Sequence, residues 1–339
     1  MKVIVAGASG VVGGRCATIL AERGHDLVLI SRDPARIAGL PGVPLQLDLG
    51  QLIDGTATVL PEADVLVNCA GPSVRWTHPV ALAALRAGMD FTDPGGDLEE
   101  VHRLATVAES EGHTAVLGAG VQPGLVAIAV QAVVLRTGAC RVRGSCGGLQ
   151  TLSISSVEDY VAAAGTSQEA AGRRLHEGRV ERAAPSKAGP LPGRYPPSAT
   201  GHLHLDQEVL GVAERLGCTD LTWFNVMDAP RSSAALARLL AGGGSESDAL
   251  AAVAEDLRNR EPYFRIEVEA WNGDECTRLG IATADCYDLT ARILVQAAEL
   301  AVAGTPGALF ASGIGVSPET WLTGLLGAAE ITWDEEGEL

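Results

Sequence analysis

The first fourteen residues of the chain, MKVIVAGASGVVGG, constrain its fold more than any other stretch. A short apolar run opens directly into Gly7, Gly10 and Gly13, and apolar residues at helical spacing follow. This pattern predicts a buried strand, a glycine turn and a helix. In such a unit the first glycine lets the chain turn sharply, the second admits a pyrophosphate close to the backbone, and the third lets the helix pack against the sheet.

Phosphate binding at this turn follows from the start of the helix. The first N–H groups of a helix have no partner within it, and the positive end of the helix dipole favours an anion. The predicted dinucleotide-binding residues at this turn are Gly7, Ser9, Gly10, Val11 and Val12. The alternative is a structural turn between strand and helix that binds no nucleotide.

The tip of the second predicted strand, residues 25–31, selects between the two nicotinamide cofactors. An acidic residue there binds the ribose 2′-hydroxyl of NAD, whereas Ser31 and Arg32 offer a hydroxyl and a guanidinium to a 2′-phosphate. The sequence therefore predicts NADP(H), the alternative being a solvated surface arginine. Asp48, in a third predicted strand over residues 43–49, either accepts from the adenine amino group or caps a turn.

A fourth predicted strand, residues 63–69, is almost entirely apolar and ends in the sequence NCAGP. Such runs are typical of parallel strands that are covered on both faces. Small residues and a proline at the carboxyl end of the strand let the nicotinamide ribose lie close to the backbone. We therefore predict cofactor contacts at Cys69, Ala70, Gly71 and Pro72; a tight turn into the next helix is compatible with the same residues.

Several motifs together resemble the saccharopine dehydrogenase-like reductases. They are GASGVVG, the Ser-Arg strand tip, NCAGP, HPVALAALRAGMDFTDPGGD and GAGVQPGL, and they lie within about the first 125 residues. The resemblance implies NADP(H)-dependent reduction or oxidation, often at a carbon–nitrogen bond. It also implies an α/β fold, in which a Rossmann-type doubly wound parallel sheet is joined to a second α+β domain with a mixed sheet.

The same resemblance implies the arrangement of the domains. Residues 1–125 are predicted to form the NADP-binding domain and residues 126–303 a substrate and dimerisation domain, while the segment from about 304 to 339 packs back on the first domain. Alternating apolar residues on either side of Asn272-Gly273 predict a hairpin. The broad face of such a sheet is suited to a homodimer.

The substrate is predicted to differ from that of the saccharopine-forming members. Those members carry a DPG-type turn followed closely by an acidic residue and a histidine. This chain has QPGLVA at residues 122–127, without the acid or the histidine. A substrate of the amino-adipate type is therefore disfavoured, and we expect another small metabolite or one tethered to a carrier.

Few residues suggest acid–base chemistry. None of the four tyrosines is followed by lysine at the Tyr-x-x-x-Lys spacing of common carbonyl reductases. His78 and Asp93 follow strand ends and are the candidates to pass the proton that accompanies hydride; the alternatives are a helix cap for His78 and a turn former for Asp93. An iminium carbon needs little acid catalysis, so we predict NADPH-dependent reduction of a C=N bond. The alternatives are reduction of an activated C=C bond and a non-catalytic NADP(H) sensor.

Composition limits the partners and the location. The 339 residues carry a formal net charge of −17 at pH 7, which disfavours nucleic acid and anionic membrane surfaces as partners. The chain opens on a core strand and has no apolar run of membrane-spanning length, so a cytoplasmic protein is expected. Seven scattered cysteines without a C-x-x-C pair predict reduced thiols and no metal site. The basic stretch at residues 165–201 is either a mobile lid for an anionic ligand or a solvated loop and helix.

Overall fold

The computed structural model describes residues 1–53, 60–166, 170–184 and 189–336. The chain divides into two compact units, one of Met1–Leu125 with Tyr287–Val316 and the other of Val126–Cys286 with Ser317–Leu339. The chain therefore passes between the units three times.

In chain order, the helices are α1 Val11–Glu22, α2 Leu49–Ile53, α3 Ser73–Arg86, α4 Leu98–Glu111, α5 Leu125–Thr137, α6 Ile154–Thr166, α7 Gln207–Arg215, α8 Pro230–Leu240, α9 Glu246–Asp256, α10 Cys286–Ala301 and α11 Pro318–Thr323. The strands are β1 Lys2–Ala6, β2 Asp26–Ser31, β3 Val43–Gln46, β4 Val65–Asn68, β5 Asp90–Thr92, β6 Thr114–Leu117, β7 Arg141–Leu149, β8 Arg173–His176, β9 Arg179–Arg182, β10 Thr200–Leu203, β11 Asp220–Met227, β12 Tyr263–Asn272, β13 Glu275–Thr283, β14 Gly307–Phe310 and β15 Glu330–Glu336.

The first unit is built on a parallel sheet. Among the described residues its strand order is β14-β6-β5-β4-β1-β2-β3, and every pairing is parallel. The central strands β1 and β4 are buried at every position except Lys2, as expected for strands that helices cover on both faces. This confirms the predicted Rossmann-type sheet, in which the strand order reverses beside β1.

The second unit is built on a mixed sheet. In the part of the chain that the structure describes, its order is β15-β13-β12-β7-β11-β8-β9, with β10 paired to β11. The β7 and β11 strands are parallel, and the remaining pairs are antiparallel. The predicted hairpin is present with its loop shifted by one residue, because Asn272 still pairs with Glu275 and the loop is formed by Gly273 and Asp274.

The C-terminal part of the chain differs from the sequence-based expectation. Only residues up to 316 remain with the first unit, where β14 pairs in parallel with β6. The last strand, β15, instead pairs along its whole length with β13 in the second sheet. Ile331 and Trp333 alternate with charged or polar residues there, which is the pattern of a strand with one buried face. Residues 287–301 of α10 belong to the first unit, and not to the second as predicted.

The basic stretch also differs from the expectation. Instead of a loop and helix, its described residues contain the β8–β9 hairpin, in which Arg174 forms an ion pair with Glu181. Lys187, which contributes to the predicted charge of this stretch, lies outside the described residues. No helix in the described ranges is both long and apolar enough to cross a membrane.

Candidate cofactor site

The glycine turn brings three backbone segments into direct contact. Gly7 has φ of +73°, and a Cβ there would lie 2.7 Å from the Ala70 nitrogen and 2.8 Å from the Cys69 carbonyl carbon. A Cβ at Gly13 would lie 2.3 Å from the Gly7 oxygen. Contacts this short exclude any side chain, so the first and third glycines allow α1 and the end of β4 to approach the turn.

The second glycine has a different environment. A Cβ at Gly10 would meet only the Gly7 oxygen, at 3.2 Å, within 4 Å in the described chain. Gly10 is the N-cap of α1 and provides no side-chain cap, and the first turn carries no acidic residue. Gly10, Val11 and the partly exposed Ser9 and Val12 therefore surround a helix start that a pyrophosphate fits.

At the tip of β2 the two predicted residues behave differently. The Ser31 hydroxyl is buried and is engaged within the turn, since it accepts from the Asp33 nitrogen at 3.2 Å and donates to the Asp33 oxygen at 2.9 Å. Arg32 is exposed, and among the described residues its guanidinium makes no hydrogen bond or ion pair. Arg36, on the short 3-10 helix that follows, is likewise exposed. The geometry thus leaves an arginine, and not the serine, open to a 2′-phosphate.

Asp48 caps a turn. The predicted third strand ends at Gln46, earlier than expected, and α2 begins at Leu49. Asp48 Oδ1 accepts from the Gly50 nitrogen at 2.9 Å, and the side chain is exposed. The structure therefore contains the turn cap, which is one of the two predicted alternatives for Asp48.

The loop after β4 is held by a buried hydrogen-bond network. Asn68 Nδ2 donates to Asp93 Oδ2 at 2.6 Å, while Asn68 Oδ1 accepts from the Ala70 nitrogen at 3.1 Å. Asp93 Oδ1 accepts from the Gly95 nitrogen at 2.7 Å. Asp93 is 1 % exposed, so its geometry is that of a residue that positions the loop containing Ala70, Gly71 and Pro72. Sequence reasoning missed this link, because Asn68 and Asp93 belong to different strand ends.

The Cys69 thiol lies against a second thiol from α1. Its sulfur is 3.8 Å from Cys16 Sγ. The contact with Cys16, burial and the nearby Asp93 carboxylate all raise the pKa of the Cys69 thiol. Cys69 therefore borders the candidate site as a neutral thiol.

His78 lies inside α3, so it is not a helix cap. It is paired with Glu100, which no sequence pattern had indicated. Its Nδ1 contacts Glu100 Oε1, on α4. An ionised carboxylate only accepts, so this contact favours the tautomer in which Nδ1 carries the proton. His78 is 39 % exposed and Glu100 is 12 % exposed. An accessible imidazole held by a nearly buried carboxylate is suited to proton transfer.

Two residues in the first turn of α3, directly after the 69–72 loop, make contacts within the first unit. Trp76 packs against the core of the first unit, and the Arg75 guanidinium stacks over its ring at 4.6 Å. Within the described ranges, no group of three or more His, Cys, Asp or Glu side chains is arranged to hold a metal ion.

Solved structures provide a comparison for this fold. No protein-family model matches the chain, and no curated protein matches it. It is similar to an apo, histidine-tagged saccharopine dehydrogenase (L-Glu forming) from Saccharomyces cerevisiae, with a TM-score of 0.68 and 14% identity over 99% of this chain and 100% of that chain. It is also similar to an amine dehydrogenase from Mycobacterium smegmatis, with a TM-score of 0.51 and 12% identity over 94% of this chain and 96% of that chain. The chain thus has a saccharopine dehydrogenase-like fold.

Proposed function

We propose that this protein is an NADPH-dependent oxidoreductase that reduces the C=N bond of a small or carrier-tethered metabolite. The observation that carries the proposal is the start of α1, where Gly7 and Gly13 are closed by backbone while Gly10 leaves the helix N–H groups uncapped. The two solved structures of similar fold are named as dehydrogenases, which supports an oxidoreductase.

The preference for NADPH over NADH is inferred from Arg32. Its guanidinium follows β2 directly and has no acidic partner among the described residues. An unpaired arginine is able to form two charge-assisted hydrogen bonds with the 2′-phosphate of NADPH. NADH has no phosphate at this position.

The residues of the chain then have distinct tasks. Bound NADPH supplies the hydride. The glycine turn and the 69–72 loop hold the cofactor, Asn68 and Asp93 fix that loop, and Glu100 orients the His78 ring. In its imidazolium form, His78 would give the Nε2 proton to the product nitrogen and regain a proton from water. An iminium substrate carries positive charge before hydride arrives, so one weak acid is sufficient.

Calorimetric titration with NADPH and NADH tests the proposal. Arg32→Ala is expected to weaken NADPH binding by about ten- to a hundredfold, because a charged hydrogen bond contributes roughly 1.5–3 kcal/mol, and to leave NADH binding unchanged. Arg86→Ala is the matched control, since Arg86 is exposed at the C-terminal end of α3. Absence of binding by either nucleotide overturns the proposal, and tight binding without turnover of imines or enoyl compounds favours a sensor.

A further inference from the structure

The β8–β9 hairpin brings two arginines directly opposite one another. Arg173 on β8 is in register with Arg182 on β9. One position further from the loop of the hairpin, the Ala183 nitrogen donates to the Gly172 oxygen at 2.9 Å. Hydrogen-bonded and non-hydrogen-bonded pairs alternate along antiparallel strands, so Arg173 and Arg182 form a non-hydrogen-bonded pair, whose Cα atoms lie about 4.5 Å apart. We call these two residues the arginine pair.

The arginine pair lacks the charge matching found at the next position of the hairpin. There Arg174 and Glu181 are in register, and Arg174 Nη2 lies 2.7 Å from Glu181 Oε1. The arginine pair, in contrast, makes no hydrogen bond or ion pair with any residue that the structure describes. Like charges directly opposite one another destabilise a pair of strands. The hairpin therefore holds two neighbouring guanidinium groups whose charge no carboxylate of the described chain compensates.

The arginine pair is accessible to a ligand. Arg182 is exposed and Arg173 is partly exposed. Side chains alternate between the two faces of a strand, so Leu175 and Val180, which are in register with each other, lie on the same face as the arginine pair. Leu175 is 2 % exposed, whereas Val180 is 40 % exposed. The two positive charges thus adjoin an exposed apolar side chain.

Two guanidinium groups at this spacing fit one anion with several oxygen atoms. Each guanidinium is able to donate two parallel hydrogen bonds to a carboxylate or a phosphate. A carboxylate carries a single negative charge, so it leaves one of the two arginines uncompensated. A phosphate monoester has three terminal oxygens and a charge of about −1.5 to −2 at pH 7, which compensates both arginines. Val180 offers apolar contact to the organic group of such an ester.

We propose that Arg173 and Arg182 together bind the phosphate group of a small phosphate monoester. The formal net charge of −17 repels anions at long range, so direct contact with both arginines must supply the affinity. The arginine pair belongs to the second unit, whereas the glycine turn and Arg32 belong to the first. The site therefore shares no residue with the proposed NADPH site.

Calorimetric titration of the full chain with phenyl phosphate tests the site. The wild type is expected to bind phenyl phosphate more tightly than benzoate, which has the same ring and a carboxylate. Arg173→Gln and Arg182→Gln are each expected to weaken phenyl phosphate binding by at least about tenfold, because charge-assisted hydrogen bonds are lost. Arg179→Gln is the matched control and keeps the wild-type affinity, since Arg179 is exposed on the opposite face of the same hairpin.

Arg32→Ala separates this site from the proposed NADPH site. It removes the arginine assigned to the 2′-phosphate of NADPH and is expected to leave phenyl phosphate binding by the hairpin unchanged. Failure of one site is thereby distinguished from failure of the other.

Thermal melts of the ligand-free variants identify any loss of folding. Arg182→Glu provides a second test, because it places a carboxylate opposite Arg173, as Glu181 lies opposite Arg174. It is expected to melt above the wild type and to bind no phenyl phosphate. A wild type that does not bind phenyl phosphate overturns the proposal. So does binding that persists in Arg182→Glu, that Arg179→Gln weakens as much as Arg173→Gln and Arg182→Gln do, or that Arg32→Ala abolishes.

Discussion

Asn68 donates a hydrogen bond of 2.6 Å to Asp93, and both side chains are 1 % exposed. The bond joins the carboxyl ends of two neighbouring strands, β4 and β5. It connects the backbone of the 69–72 loop to the turn at Gly95, because each partner also accepts from a backbone nitrogen. A buried, fully engaged pair of this kind fixes a loop more firmly than an exposed one.

Asp93→Ala is expected to lower both the melting temperature and the affinity for NADPH. It leaves the Asn68 amide and the Gly95 nitrogen without their acceptor, at a cost of about 1–3 kcal/mol for each group. Asp93→Asn keeps one acceptor oxygen, so it is expected to lower the melting temperature and the NADPH affinity by less. Thermal melts with and without NADPH make the measurement, and an unchanged melting temperature for Asp93→Ala contradicts the positioning role.

The three glycines of the turn are expected to respond differently to alanine. Gly13→Ala drives a methyl group to 2.3 Å from the Gly7 oxygen and should unfold or strongly destabilise the first unit. Gly10→Ala meets only one atom, at 3.2 Å, so the fold should survive while NADPH affinity falls. Circular dichroism and calorimetry separate these outcomes. Equal loss of folding in both variants would be inconsistent with a ligand-facing Gly10.

The His78–Glu100 pair predicts a separation of chemistry from binding. His78→Gln removes the proton donor and is expected to lower kcat while leaving NADPH affinity unchanged, by less than the roughly 10²–10⁴ that general acid catalysis contributes on a neutral substrate, because an iminium already carries its charge. Glu100→Gln should lower kcat by a smaller factor, since it weakens the orientation of the ring and keeps the ring itself. Steady-state kinetics with an imine substrate, together with calorimetry, test both. A loss of NADPH affinity that matches the loss of kcat would assign the pair to binding.

A pH effect on stability is expected at Asp90. Burial raises the pKa of this carboxyl above its ordinary value of 3.8, although the Thr114 nitrogen and His113 act in the opposite direction. A folded-state pKa above the unfolded value contributes stability below the unfolded pKa, and this stability is lost as pH rises through the folded pKa. Asp90→Asn does not titrate and keeps the acceptor for Thr114. The melting temperature of Asp90→Asn minus that of wild type should therefore be higher at about pH 7 than at about pH 3.5, and an equal difference at the two pH values contradicts the prediction.

The first unit could be predicted from the sequence because its signals are local. The apolar run of β1, the glycine turn and the Ser-Arg tip each lie within a few residues, and each element fits its own pattern. The pairs that build the site are not local: Asn68 and Asp93 are 25 residues apart, and His78 and Glu100 are 22 apart. Sequence periodicity places such residues on their own elements and gives no information about which side chain of another element they meet.

The last strand, β15, was predicted to pack on the first unit but pairs with the second sheet. Local sequence patterns could not indicate this pairing either. The pattern of β15 predicts a strand with one buried face, and the sheet that it joins depends on which strand edge is free. The β13 edge is supplied by residues 275–283, and nothing in the local sequence of β15 selects it over β6.

The interleaving of the two units has a consequence for synthesis of the protein. Strand β14 completes the first sheet against β6 only after the ribosome has made residues 307–310, and β15 completes the second sheet with residues 330–336. Until then β6 and β13 are the edge strands of their sheets, and other chains are able to pair with them. Addition of these strands moves the exposed edge from β6 to the four-residue β14 and from β13 to the acidic β15, and short or charged edge strands resist pairing with another chain.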